Sequence, residues 1–113
     1  MEVLSAGQKL HIIEKSLFAE DLRRHFVGQI EAAASHAIRI RGYAWFYDKK
    51  KKTFVRRAGV RLRVIYLGPD MIINIMPQEV DIDSIRYVTD KAGIPRITDG
   101  KSYGLDLNEL NVG

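Results

Sequence analysis

The sequence predicts an all-β protein, a small, strongly bent five-stranded barrel with an irregular C-terminal extension. Three observations predict it. Apolar and polar residues alternate in short runs, most clearly at Ile38 and Ile40 and again at Val60, Leu62 and Val64, the two-residue period of half-buried strands. Turn residues punctuate these runs, above all Gly68-Pro69-Asp70, where Pro69 supplies the fixed φ of a first corner position. Single glycines at Gly28 and Gly42 interrupt the apolar pattern, as bulges or sharp bends in barrel strands require.

Met1 to Lys9 reads as a loose arm. Leu10, Ile12 and the run Ile13 to Phe18 read as a first strand, with a turn at Ala19-Glu20-Asp21. Phe18, Leu22 and Phe26 at four-residue steps fit a helical face as well, but Phe26, Gln29, Ile30 and Ala32 continue without a cap and Gly28 is the only stop signal. After a break near Ser35 and His36, Ile38 and Ile40 alternate on even positions, and Tyr43, Trp45 and Tyr47 on odd ones. That change of parity predicts a bulge or bend at Gly42. Asp48 with Lys49 to Lys52 forms a charged hairpin tip, and Phe54 restarts the chain. Val60, Leu62 and Val64 alternate with Arg61 and Arg63, and Met71 to Met76 completes a hairpin that Pro77 ends. Val80, Ile82 and Ile85 fit a short strand or a single helical turn. Beyond Tyr87 the chain is turn-rich and polar, with Ile94, Ile97, Tyr103, Leu105 and Leu107 as its anchors. The expected organisation is an arm over residues 1–9, one barrel domain over 10–87 and an extension over 88–113, packed on or beside the barrel.

Composition limits the function classes. At 113 residues, 46% hydrophobic and 28% charged, the chain has the balance of one ordinary globular domain, large enough to bury a core without staples. Cysteine is absent, which excludes disulfides, thiolate zinc sites and thiol catalysis. Met1 is followed by Glu2 and the apolar runs are short. Neither a signal peptide nor a membrane span is expected, and a cytoplasmic location is the default.

The formal charge of +4 is unevenly laid out. Lys49 to Arg63 holds eight bases and no acid, while Glu79, Asp81, Asp83, Asp90, Asp99, Asp106 and Glu109 make the C-terminal part acidic. The hairpin from Val64 to Met76 is apolar on both faces except at Asn74. One face suits a core; the other needs a cover, either the C-terminal segment or a second subunit, because an open apolar strand invites aggregation. Ile65, Leu67, Ile72, Asn74 and Met76 are the candidate subunit interface.

The run Phe26-Val27-Gly28-Gln29-Ile30-Glu31, followed eight residues after Ile30 by Ile38-Arg39-Ile40, resembles the first motif of Sm-like and Hfq-like proteins. The resemblance extends loosely over Leu10 to Tyr87, with 60–67 and 71–76 in the place of the family's last two strands. It implies an open, strongly bent five-stranded sheet whose last two strands pair with neighbours to build a ring, and RNA as a ligand. The family's loop usually has an aromatic-Asp pair where this chain has Ala33 and Ala34, and Gly68-Pro69-Asp70 stands where its second motif is expected. The likeness therefore supports the barrel more strongly than an RNA pocket.

Phosphate binding needs clustered Lys and Arg heads with few acids. Lys49, Lys50, Lys51, Lys52, Arg56, Arg57, Arg61 and Arg63 provide them, with Trp45, Tyr47 and Phe54 near enough in sequence to stack on bases. His36 joins this set because in the Sm-like comparison it falls in the loop that approaches RNA. The alternative is a solvated hairpin tip and a polar strand face, lysines on edge strands being a common guard against pairing. In a further alternative the acidic C-terminal segment folds over the patch. Arg57 and Arg61 also fit the RxxxR spacing of PilZ-type cyclic-dinucleotide receptors, but the companion Asp/Asn-x-Ser-x-x-Gly pattern is missing near Asp83-Ser84.

Enzyme signatures are thin. His11, His25 and His36 lack metal-ligand spacing, and neither a nucleophile elbow nor a phosphate-cradling loop occurs. His25 is expected at a surface or rim, and Asp81 and Asp83 as solvated acids on one side of a strand. No cofactor, metal or catalytic residue is assigned. The sequence thus predicts a non-enzymatic, homo-oligomeric binding module, with RNA or single-stranded nucleic acid the leading ligand; the alternative is a protein-interaction or scaffolding module with no nucleic-acid role.

Overall fold

The computed structural model describes residues 3–14, 24–89, 91, 93, 95–101 and 103–107. The expected turn at Ala19-Glu20-Asp21 and the anchor Ile94 lie outside them. The strands are β1 (Lys9–Glu14), β2 (Arg24–Ala33), β3 (Ala37–Asp48), β4 (Thr53–Arg56), β5 (Arg61–Tyr66), β6 (Met71–Met76), β7 (Arg86–Thr89), β8 (Pro95–Thr98) and β9 (Gly104–Asp106), with a 3-10 turn at Ile82–Ser84. The first six form one antiparallel sheet in the order β4-β3-β2-β1-β6, with β5 also on β3. The last three form a second sheet, β7-β8-β9.

The all-β class holds, but the main sheet has six strands rather than five and does not close into a barrel. Among the described residues β5 pairs only with β3, and β6 only with β1. The expected hairpin of 61–66 with 71–76 is corrected for the same reason. Gly68-Pro69-Asp70 still redirects the chain, but a turn signal governs a local reversal, and longer strands compete for the ladder. β5 pairs along Ala37 to Gly42 and β6 along the whole of β1.

Gly42 is not a bulge. The β2–β3 register runs unbroken through it, and the shift lies between Ile30 and Ala32. Gly42 faces Gly28 across the ladder; a Cβ on Gly42 would collide with the Val27 carbonyl oxygen, and one on Gly28 would lie 2.5 Å from the Arg41 carbonyl oxygen. Both positions need glycine because two backbones approach closely there.

The parity change records two cores on opposite faces. Leu10, Ile12, Phe26, Ile30, Ile38, Ile40 and Ala44 join Ile65 in the first. Val27 and Trp45 join Met76, Val80, Ile85, Ile97 and Leu107 in the second. Each buried aliphatic side chain contributes about 1.5–3 kcal/mol. The cover that the sequence demanded is therefore intramolecular over this part of the sheet. The expected irregular tail is a three-stranded sheet, disguised in the sequence because β7, β8 and β9 have only four, four and three residues. Asp99 Oδ1 accepts from the Lys101 and Tyr103 amides at 2.9 and 3.0 Å and organises the turn between β8 and β9.

The arm is tied down rather than loose over its described part. Gly7 N donates to Ile30 O and Ile30 N to Gln8 O, both at 2.8 Å, and Leu4 packs on the first core. Lys9 Nζ donates to the Gln78 and Val80 carbonyls at 2.6 Å, anchoring the link between the two sheets.

Candidate functional site

The first-core face of the main sheet changes character near one end. Across the strands at that end, Glu14 pairs with Arg24, Arg24 with Phe46, and Phe26 with Ala44. The small side chain of Ala44 leaves room between the two phenylalanines. On β5 the face that buries Ile65 against Ile38 carries Arg63 opposite Ile40 and Arg61 opposite Gly42, so one strand face passes from core to charge within two residues. Arg57 is drawn in by its amide, which donates to Ala44 O at 2.9 Å.

These residues line a cleft of about 280 Å³. Phe26, Ala44 and Phe46 contribute apolar lining; Arg24, Arg57, Arg61 and Arg63 contribute the charge, with Glu14 the one carboxylate. The Arg57 guanidinium lies 4.9 Å from the centre of the Phe46 ring, and that of Arg63 lies 5.4 Å from Phe26, both within cation–π range. Arg61 Nε is buried without an acceptor among the described residues. Among the described residues the ion pairs are Arg39 and Arg41 with Glu31, and Lys101 with Asp81. None involves a cleft arginine. Four arginines around one concavity, without an ion pair among the described residues, concentrate positive potential where an anion can enter.

The sequence-selected bases are thus divided. Arg57, Arg61 and Arg63 meet in the cleft, joined by Arg24, which the sequence reading missed. Arg24 lies far from the basic run, and only the β2–β3 register brings it beside Phe46. Lys49, Lys50, Lys51 and Lys52 form the exposed tip between β3 and β4, where Asp48 Oδ1 accepts from the Lys50 and Lys51 amides at 2.9 and 3.2 Å. Arg56 turns elsewhere: its guanidinium sits 4.4 Å over Tyr43 and donates to Asp83 O at 3.4 Å. His36 is exposed on the β2–β3 turn, at the other end of β3 from the lysines.

The aromatics near the basic run take the core role, the commoner one for such residues, rather than base stacking. Phe54 stacks on Tyr87 at 4.5 Å and Trp45 meets the same ring at 4.8 Å, within the second core; Tyr47 packs on Phe54 at 5.4 Å. The described C-terminal sheet occupies that opposite face and leaves the cleft uncovered. Asp81 and Asp83 are not on a strand either. Asp81 caps the 3-10 turn, accepting from Asp83 N at 3.1 Å and Ser84 Oγ at 2.8 Å, and Ser84 holds its carboxyl below the usual range. Asp83 accepts from Tyr43 Oη at 2.5 Å, which pushes the Tyr43 phenol up.

His25, expected at a rim, is buried. Its Nδ1 lies 3.0 Å from His11 Nε2 and 2.7 Å from Tyr87 Oη, and Asn74 Nδ2 lies 3.5 Å from His11 Nδ1. Of the candidate interface residues, Ile65 and Met76 are buried in the two cores, while Leu67, Ile72 and Asn74 are half-buried. A second hollow, of about 270 Å³, is lined by Glu31, Arg41, Tyr43 and Asp83 among others, but these groups are already engaged with one another. Among the described residues no cluster of three or more metal-ligating side chains occurs, and no helix is long and apolar enough to cross a membrane.

Compared with known proteins, the chain matches no family model, no curated protein and no solved structure.

Proposed function

We propose that the protein is a non-enzymatic binding module for RNA or single-stranded nucleic acid, which it grips by its phosphates through the arginine cleft and the lysine tip. One observation carries this reading: Arg24, Arg57, Arg61 and Arg63 surround a single cleft with one carboxylate and no ion pair among the described residues. Arginine suits phosphate because its planar fork matches two oxygens at once. The contacts are to backbone, so little sequence preference is expected.

Binding of a labelled single-stranded RNA, followed by fluorescence anisotropy, tests the reading. Engagement of three to four phosphates predicts a loss of roughly 20- to 50-fold in affinity between about 50 and about 200 mM salt. Arg61→Ala combined with Arg63→Ala weakens binding across sequences and flattens that slope. Affinity no better than for a neutral polymer at low salt ends the proposal.

A second reading, a homo-oligomeric protein-interaction module in the manner of an Sm-like ring, is favoured by a different observation. Leu62, Val64 and Tyr66 are 51%, 59% and 75% exposed along the outer face of β5. β5 and β6 each leave one edge unpaired among the described residues, which suits a ring in which edge strands meet.

A further inference from the structure

We propose that the arginine cleft is a receptor for a terminal phosphomonoester, so that the protein holds the phosphorylated end of a single strand rather than an internal stretch. The inference rests on the nucleic-acid reading above and sharpens its ligand. Its first support is convergence. The four arginines come from β2, the β4–β5 loop and β5, and they line one half-open hollow of about 280 Å³. An internal phosphodiester brings one negative charge, whereas a monoester brings about −1.5 to −2 at neutral pH and three acceptor oxygens. A compact dianion is what four arginines lining one hollow reward most.

The second support is that the aromatic rings are already taken. Phe46 carries the Arg57 guanidinium at 4.9 Å and Phe26 that of Arg63 at 5.4 Å. A base entering to stack would displace the cation it needs. These rings orient the guanidiniums, and the cleft reads phosphate rather than base. The third support is Arg61 Nε, buried and without an acceptor among the described residues. With that donor sealed off, the terminal nitrogens of the Arg61 guanidinium are the ones left to meet a phosphate oxygen.

The lysine tip then follows the next diesters. Lys49 follows Phe46 by three residues, just past the end of β3, a span of roughly 10 Å at strand rise, which is the reach of one or two nucleotides leaving the cleft.

The test uses the full chain and one short single-stranded RNA of mixed sequence prepared with a phosphate at its 5′ end, at its 3′ end, or with hydroxyls at both. One phosphorylated form is expected to bind about tenfold more tightly than the hydroxyl form. Arg61→Ala removes that difference, and Arg57→Ala, at an exposed loop position, does so without burdening the fold. Alanine at all four of Lys49 to Lys52 weakens every form alike and leaves the ratio intact. Pyrophosphate competes with the phosphorylated form at lower concentration than the singly charged acetate. Equal, measurable binding of all three RNAs overturns the end-receptor inference while the nucleic-acid reading survives; no binding of any of them overturns both. A preference for a phosphoserine peptide over the phosphorylated RNA would also overturn it, by assigning the cleft to a protein partner.

Discussion

His11 is fully buried, and its polar neighbours come from both sheets: His25 Nδ1 on β2 at 3.0 Å, Asn74 Nδ2 on β6 at 3.5 Å and Tyr87 Oη on β7 at 3.3 Å. Burial lowers its pKa from 6.5 to about 4, and burial raises the Tyr87 phenol well above its ordinary value. Between pH 6.5 and 4 the unfolded chain binds a proton that the folded chain refuses. Stability is therefore whole above that window and is lost as pH falls through it, by at most about 3 kcal/mol. Urea midpoints at several pH values measure this directly. His11→Gln removes the titrating group and flattens the acid side of the profile; parallel profiles for the two proteins would show that other groups govern the acid sensitivity.

β2 and β3 approach most closely where Gly28 meets Gly42, and the two faces of β3 serve different cores. A side chain at Gly42 forces the backbones apart. Gly42→Ala is expected to cost about 3 kcal/mol, the upper part of the usual overpacking range, as read from urea unfolding. Gly68→Ala is the control: its Cβ meets nothing within 4 Å, so it stays within about 0.5 kcal/mol of the parent. Equal stabilities for the two variants would remove the close-approach account of Gly42. The lysine tip shows a different economy, since Asp48 satisfies two amides of the turn and leaves four cationic side chains exposed to solvent.

Over the whole molecule, the second sheet covers one end of the main sheet's second face and leaves the outer face of β5 open. Leu62, Val64 and Tyr66 there flank Arg41, Arg39 and Ala37 across the ladder. The exposed apolar positions differ in parity from Ile65, which the sequence reading placed at the interface. Light scattering after size exclusion is expected to show a species larger than a monomer, and Val64→Glu with Tyr66→Ser to shift it toward the monomer. A monodisperse monomer for the parent chain removes the assembly reading and leaves the cleft untouched.

Alternation at Ile38, Ile40, Leu62 and Val64 was enough to establish strands, because a two-residue period is a local property of the pleat. The basic run from Lys49 to Arg63 was likewise legible as charge. Partner choice was not: β5 and β6 pair with β3 and β1 through contacts far apart in sequence, and no turn motif encodes that competition. The same long-range register brought Arg24 to Arg57, Arg61 and Arg63, sent Arg56 to Tyr43, and withdrew Trp45 and Phe54 into a core. Charge is written in the residues, but convergence of charge on one cleft exists only once the ladder has fixed which side chains share a face.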